Sequence, residues 1–135
     1  MMGSAPRYGA LSVLIVDDEP SICKALHIAF TRAGINARIA ESGDAALDKL
    51  RSEHFDAMIV DLRMPDLRGD VLFELASAIQ PQLRQCTLFT TGDITDRAER
   101  LIAACHSPML RKPFDLADAI EAIRALAPQS REEIA

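Results

Sequence analysis

The chain has 135 residues, 49% of them apolar and 26% charged, enough to bury the core of one domain and too few for two ordinary ones. A formal charge of −5, 4% aromatic residues and the lack of any basic run argue against nucleic acid as a primary partner, because phosphate contacts need clustered Lys and Arg and base stacking needs rings. No apolar stretch reaches membrane-spanning length, the first ten residues carry no secretory pattern, and Cys23, Cys86 and Cys105 sit in apolar runs as reduced thiols would, so no membrane and a cytoplasmic location are expected.

Leu11 to Val16 is a short run rich in β-branched residues, read as a strand that ends abruptly at Asp17-Asp18-Glu19. Pro20 opens a helix with Ile22, Leu26 and Phe30 on its apolar face, and Gly34 closes it. Ile35 to Ala40 is a second strand, and Ser42 is the candidate N-cap of a helix from Gly43 to Glu53. Asp56 to Val60 is a third strand that delivers Asp61 at its end. Asp70 to Gln80 is a helix with Val71, Leu72, Leu75 and Ile79 as its apolar residues, stopped by Pro81. Gln85 to Thr90 is a strand, Thr95 to Cys105 a helix and Pro108 to Arg111 a short strand. Asp115 caps a last helix bearing Leu116, Ile120, Ile123 and Leu126, and Pro128 ends it. The expected organisation is one domain over 11–127 between an N-terminal tail, 1–10, and a C-terminal tail, 128–135.

Five strands alternating with five helices predict a parallel sheet covered on both faces, and right-handed crossovers make it doubly wound. The flavodoxin-like strand order 2-1-3-4-5 is one of two common choices for such a sheet.

Ligands of these folds sit outside the carboxyl ends of the strands. There the chain delivers Asp17, Asp18 and Glu19 from the first strand, Asp61 from the third, Thr90 and Thr91 from the fourth and Lys112 from the fifth. Converging carboxylates raise one another's pKa unless a cation joins them, and Mg²⁺ takes one or two carboxylates together with waters and phosphate oxygens. A carboxylate can also attack phosphorus to form an aspartyl phosphate, a transfer that needs positioning and charge neutralisation. The metal, a lysine and a hydroxyl would supply both.

Four motifs carry a family resemblance: Val16-Asp17-Asp18-Glu19-Pro20, the segment from Asp61 through Met64-Pro65 to Gly69, Thr91-Gly92, and Lys112-Pro113-Phe114. Over Leu11 to about Leu126 the chain resembles a response-regulator receiver domain of two-component signalling, stand-alone or of the hybrid-kinase type. The resemblance implies that Asp61 accepts a phosphoryl group from a histidine kinase or a histidine phosphotransfer protein, with Mg²⁺ as cofactor. It implies Asp18 as a direct metal ligand, Asp17 as one acting mainly through water, and the backbone carbonyl of Arg63 as the third protein contribution beside Asp61. Thr91 would contact the phosphoryl group and Lys112 would pair with it; Thr90 is the neighbouring alternative for the hydroxyl. Arg63 and Asp93 are candidates for tuning hydrolysis at the mouth of the site.

One departure concerns signal transmission. Receivers commonly carry Tyr or Phe three residues before the lysine, and here that switch position is Met109. The family likeness also allows a homodimer through the fourth helix, fifth strand and fifth helix. With no room after the last helix for an output domain, output is expected to pass to an unidentified partner protein or a domain of a longer parent. Two rivals differ in kind. A haloacid-dehalogenase-like phosphatase would place Asp-x-Asp after the first strand, where this chain has Asp17-Asp18-Glu19. A degenerate receiver would lack part of the set Asp18, Asp61, Thr91 and Lys112, which is complete.

Overall fold

The computed structural model of the chain describes residues 10–92 and 96–127. The expected tails lie outside the described residues apart from Ala10, as do Asp93, Thr95 and Pro128. The described strands are β1 (Ser12–Val16), β2 (Asn36–Ala40), β3 (Ala57–Asp61), β4 (Thr87–Thr91) and β5 (Met109–Arg111). They form one parallel sheet in the order β2-β1-β3-β4-β5, the flavodoxin-like doubly wound topology. The helices are α1 (Pro20–Arg32), α2 (Gly43–Ser52), α3 (Gly69–Ile79), α4 (Asp96–Cys105) and α5 (Leu116–Leu126), with a 3-10 turn at Pro81–Gln85.

Alternate residues of each strand feed opposite faces, so the sheet builds two cores. Val13, Ile15, Ala57, Ile59 and Leu88 pack under α1 and α5, against Cys23, Leu26, Phe30, Ala119 and Ile123. Leu14, Val16, Met58, Val60 and Phe89 pack under α2, α3 and α4, against Ala46, Leu50, Leu72, Phe73 and Ile102. Burying each large side chain stabilises the fold by about 1.5–3 kcal/mol. Among the described residues no helix is long and apolar enough to cross a membrane. The three cysteines are free and buried.

Local signals operate largely as the sequence predicts. Ser42 accepts from the Ala45 N–H at 3.1 Å as the N-cap of α2. Gly34 takes φ +82° after α1, and the Ile35 N–H returns to the Phe30 carbonyl at 2.9 Å, a Schellman closure that a side chain would strain. Asp115 holds the N-cap position of α5 through its carbonyl rather than its side chain.

The third helix departs from expectation. Of the four expected apolar residues Leu72 is buried, but Val71, Leu75 and Ile79 are 36%, 43% and 37% exposed, and α3 buries Phe73, Ala76 and Ser77 beside Leu72. Phe73 stands 5.6 Å from Phe89 of β4, and Arg84 lies over the outer side of its ring. A helix apolar around most of its circumference has no unique inward face by pattern, and ring packing against β4 selects one.

Candidate functional site

At the carboxyl edge, β1 and β3 end in the same local device. Asp17 Oδ1 accepts the Glu19 N–H at 2.9 Å, and Asp61 Oδ1 accepts the Arg63 N–H at 3.1 Å. Each acid folds back on the chain two residues on, the habit of Asp in turns, which leaves its other oxygen to face the site. Both residues are buried. Glu19 then caps α1 with its carbonyl, which accepts from Ile22 and Cys23. The Cys23 thiol donates to the Asp17 carbonyl at 3.2 Å, and burial, with Asp17 close by, pushes its pKa up to about 12. It is an inert packing group beneath the acids.

Lys112 arrives from β5, its N–H bonded to the Thr91 carbonyl at 2.8 Å and its bond to Pro113 cis. Its Nζ lies 3.0 Å from Asp17 Oδ2, 2.9 Å from Glu19 Oε1 and 3.2 Å from Asp61 Oδ2. Burial opposes this charge, but hydrogen bonds to Glu19 and Asp17 and the field of Asp61 outweigh it, so the ammonium is held above the ordinary lysine pKa. Asp61 moves the other way for a carboxylate that touches a cation. Burial raises its pKa, the Arg63 N–H and Lys112 offset this only in part, and Asp17 adds to it. Among the described residues, three carboxylates converge on this one ammonium, which concentrates negative charge at the edge.

The oxygens of Asp17, Glu19 and Asp61 lie within 4.8 Å of one another, an arrangement of hard donors able to hold a metal ion. The excess negative charge and the raised pKa of Asp61 fit a divalent cation. Asp18, expected from the sequence as the direct ligand, is exposed and gives no oxygen to this cluster, whereas Glu19, outside the expected set, does. The physical reason is Lys112: with the ammonium at the centre, the longer Glu19 side chain reaches it while Asp18 faces solvent. The acidic run signalled Glu19; only the lysine's reach separates its three members.

The remaining site residues fall around this centre. Asp61 is in register with Thr90, and Leu62 N–H bonds the Thr90 carbonyl at 2.9 Å; Thr91 lies one residue further and is fully buried. Met109 pairs with Phe89 and packs, half-buried, on the α2–α4 core. The Arg63 side chain is exposed, and its N–H bond to Asp61 fixes the turn that carries its carbonyl. Gly69 begins α3 directly against the acid: a Cβ there would stand 2.6 Å from the Asp61 carbonyl oxygen.

A family model described as the response regulator receiver domain matches residues 13–124. The chain is 32% identical over 117 residues to the probable transcriptional regulatory protein TcrX of Mycobacterium tuberculosis, covering 86% of this chain and 49% of that protein. The chain thus spans about half or less of the length of the curated relatives it matches. A CheY-like receiver domain protein from Methanospirillum hungatei superposes with TM-score 0.81 at 23% identity, over 93% of this chain and 99% of that one. Chemotaxis response regulator CheY4 of Vibrio cholerae does so with TM-score 0.76 at 26% identity, over 87% and 98%.

Proposed function

Because the chain belongs to the response regulator receiver domain family of two-component signalling, we propose that it works as a phosphorelay switch, with Asp61 taking a phosphoryl group from a histidine kinase or histidine phosphotransfer protein. The observation that carries this is the state of Asp61: buried at the end of β3, with one oxygen tied to Arg63 N–H and the other turned toward Lys112. A carboxylate so fixed attacks phosphorus along one line. The new bond joins a carboxylate oxygen to phosphorus, and the bond from phosphorus to the donor's imidazole nitrogen breaks.

Asp61, Asp17 and the Arg63 carbonyl are proposed to hold Mg²⁺, with Asp18 turning in from its exposed position as Glu19 stays with Lys112; the ion when bound would supply charge neutralisation for the incoming phosphoryl oxygens. Lys112 already contacts Asp61 and is placed to pair with the acyl phosphate; the Thr91 hydroxyl is the proposed donor to a second oxygen. Arg63 and Asp93 are proposed to limit the approach of the hydrolytic water. Loss of Lys112 from Glu19 and Asp17 on phosphorylation would free the β1–α1 edge, and Met109, beside Phe89, would follow Thr91 inward. An output protein, a domain of a parent chain or a second copy of this chain would read that change. The names of the curated relatives concern regulation of transcription, so any tie to nucleic acid would run through such a parent or partner.

The test is intact-mass measurement after incubation with a small-molecule phosphodonor and Mg²⁺. One phosphoryl group is expected on the unaltered chain and none on Asp61→Asn. A phosphorylated Asp61→Asn variant, or an unaltered chain that stays unmodified, overturns the reading.

A further inference from the structure

The segment between β3 and α3, residues 62–68, is fastened at a point that the chemistry above does not use. The Asp66 carboxylate reaches across to the start of α2, where Oδ1 accepts the Gly43 N–H at 3.1 Å and Oδ2 the Asp44 N–H at 3.2 Å. Ser42 takes the next N–H, that of Ala45. Two of the first three donors of α2 are therefore satisfied from a loop more than twenty residues downstream, and only one by the helix's own cap. Asp66 is exposed, so burial does not force it into this position. The Gly43 N–H, working against desolvation and aided by the Asp44 N–H, holds its pKa below the ordinary carboxylate range. Leu67 follows it into the gap over Gly43, where a Cβ would stand 2.6 Å from the Leu67 Cβ.

The far end of α2 is held from the same neighbour. Gln80, which ends α3, donates Nε2 to the carbonyls of Leu50 and Glu53 at 2.8 and 2.6 Å and accepts the Phe55 N–H at 3.0 Å. Residues on either side of α3 thus clamp both ends of α2. The helix is a fixed bar, and Asp66 ties the middle of the Asp61–Gly69 segment to it.

We infer that Asp66 is a positioning residue: by capping α2 from outside its own chain segment, it fixes the turn on which the Arg63 carbonyl sits, and so the metal-holding geometry beside Asp61. The inference rests on the reading of Asp61 and its acids as a Mg²⁺ site. Its test titrates Mg²⁺ while following the amide signals of Asp61 and Arg63, and measures amide hydrogen exchange over residues 62–68, in the full chain and three variants. Asp66→Ala is expected to weaken Mg²⁺ binding by about tenfold, the low end of the loss typical for residues that orient a metal's ligands, and to speed exchange across the segment. Asp66→Asn keeps one carbonyl acceptor and falls between. Ser42→Ala removes a cap from the same helix end without releasing the loop, and leaves both readouts unchanged. Unaltered Mg²⁺ affinity in Asp66→Ala, or an equal loss in Ser42→Ala, overturns the inference while the metal reading stands. An unaltered chain that binds no Mg²⁺ overturns both.

Discussion

The same strands behave in opposite ways along their length. From Val13 to Val16 and from Ala57 to Val60 every side chain is apolar and buried, and one residue later Asp17 and Asp61 are just as buried and charged. The body of the sheet gains stability from each residue. The edge gives some back, because desolvated carboxylates are gathered around a single ammonium. The contrast separates what holds this fold from what it holds in readiness: stability resides in the two cores, and the edge is a concentrated charge that a cation or phosphoryl group can rebalance.

The strongest challenge to that division is a cut in the body far from the edge. Phe30 on α1 is fully buried in the α1–α5 core. Phe30→Ala is expected to lower unfolding free energy by about 3–5 kcal/mol in urea melts, while the folded fraction is phosphorylated at the unaltered rate. A matching loss of phosphorylation in protein shown to be folded would mean that core and edge are not separable.

A smaller effect of opposite sign is expected at the edge. The fold raises the pKa of Asp61, so its ionised form is disfavoured relative to the unfolded chain. The resulting cost is absent below the ordinary carboxylate pKa, where Asp61 is neutral in both states, and is fully present above the raised native value. Asp61→Asn should therefore stabilise the protein at neutral pH, by less than Phe30→Ala costs, and the gain should vanish in acid. Denaturant melts at the two pH values decide it; a gain that persists in acid would trace to packing instead of charge.

The smallest change belongs to the outer face of α3. Leu75 points away from both cores at 43% exposure. Leu75→Lys should shift stability by no more than about 0.5 kcal/mol; a loss of core size in a thermal melt would contradict the observed face of this helix.

A comparison of α1 with α3 shows how far the sequence could be read. On α1, Ile22, Leu26 and Phe30 line one stripe, and Leu26 and Phe30 bury as the spacing predicts with Ile22 half-buried beside them; Ile28, 42% exposed, is the large apolar residue off that stripe. On α3, apolar residues occupy both the stripe of Val71, Leu75 and Ile79 and the one of Leu72, Phe73 and Ala76. Periodicity cannot choose between two apolar stripes; the ring of Phe73 against Phe89 can, and that contact joins residues on separate elements. At the edge, strand ends and turn chemistry were enough to bring Asp17, Asp61 and Lys112 together, with Thr91 at the end of the next strand, because a parallel sheet delivers every strand's carboxyl end to one side.

By itself, then, the sequence determined the alternation of strands and helices, the polar residues that terminate each strand and the motif set of the family, all of which rest on local spacing. Tertiary structure alone decided the rest: that Glu19 and not Asp18 meets the ammonium, which face α3 buries, and that Asp66 caps a helix it does not belong to. Each of these depends on the distance between side chains remote in sequence, and such distances exist only once the sheet has brought its strands into register.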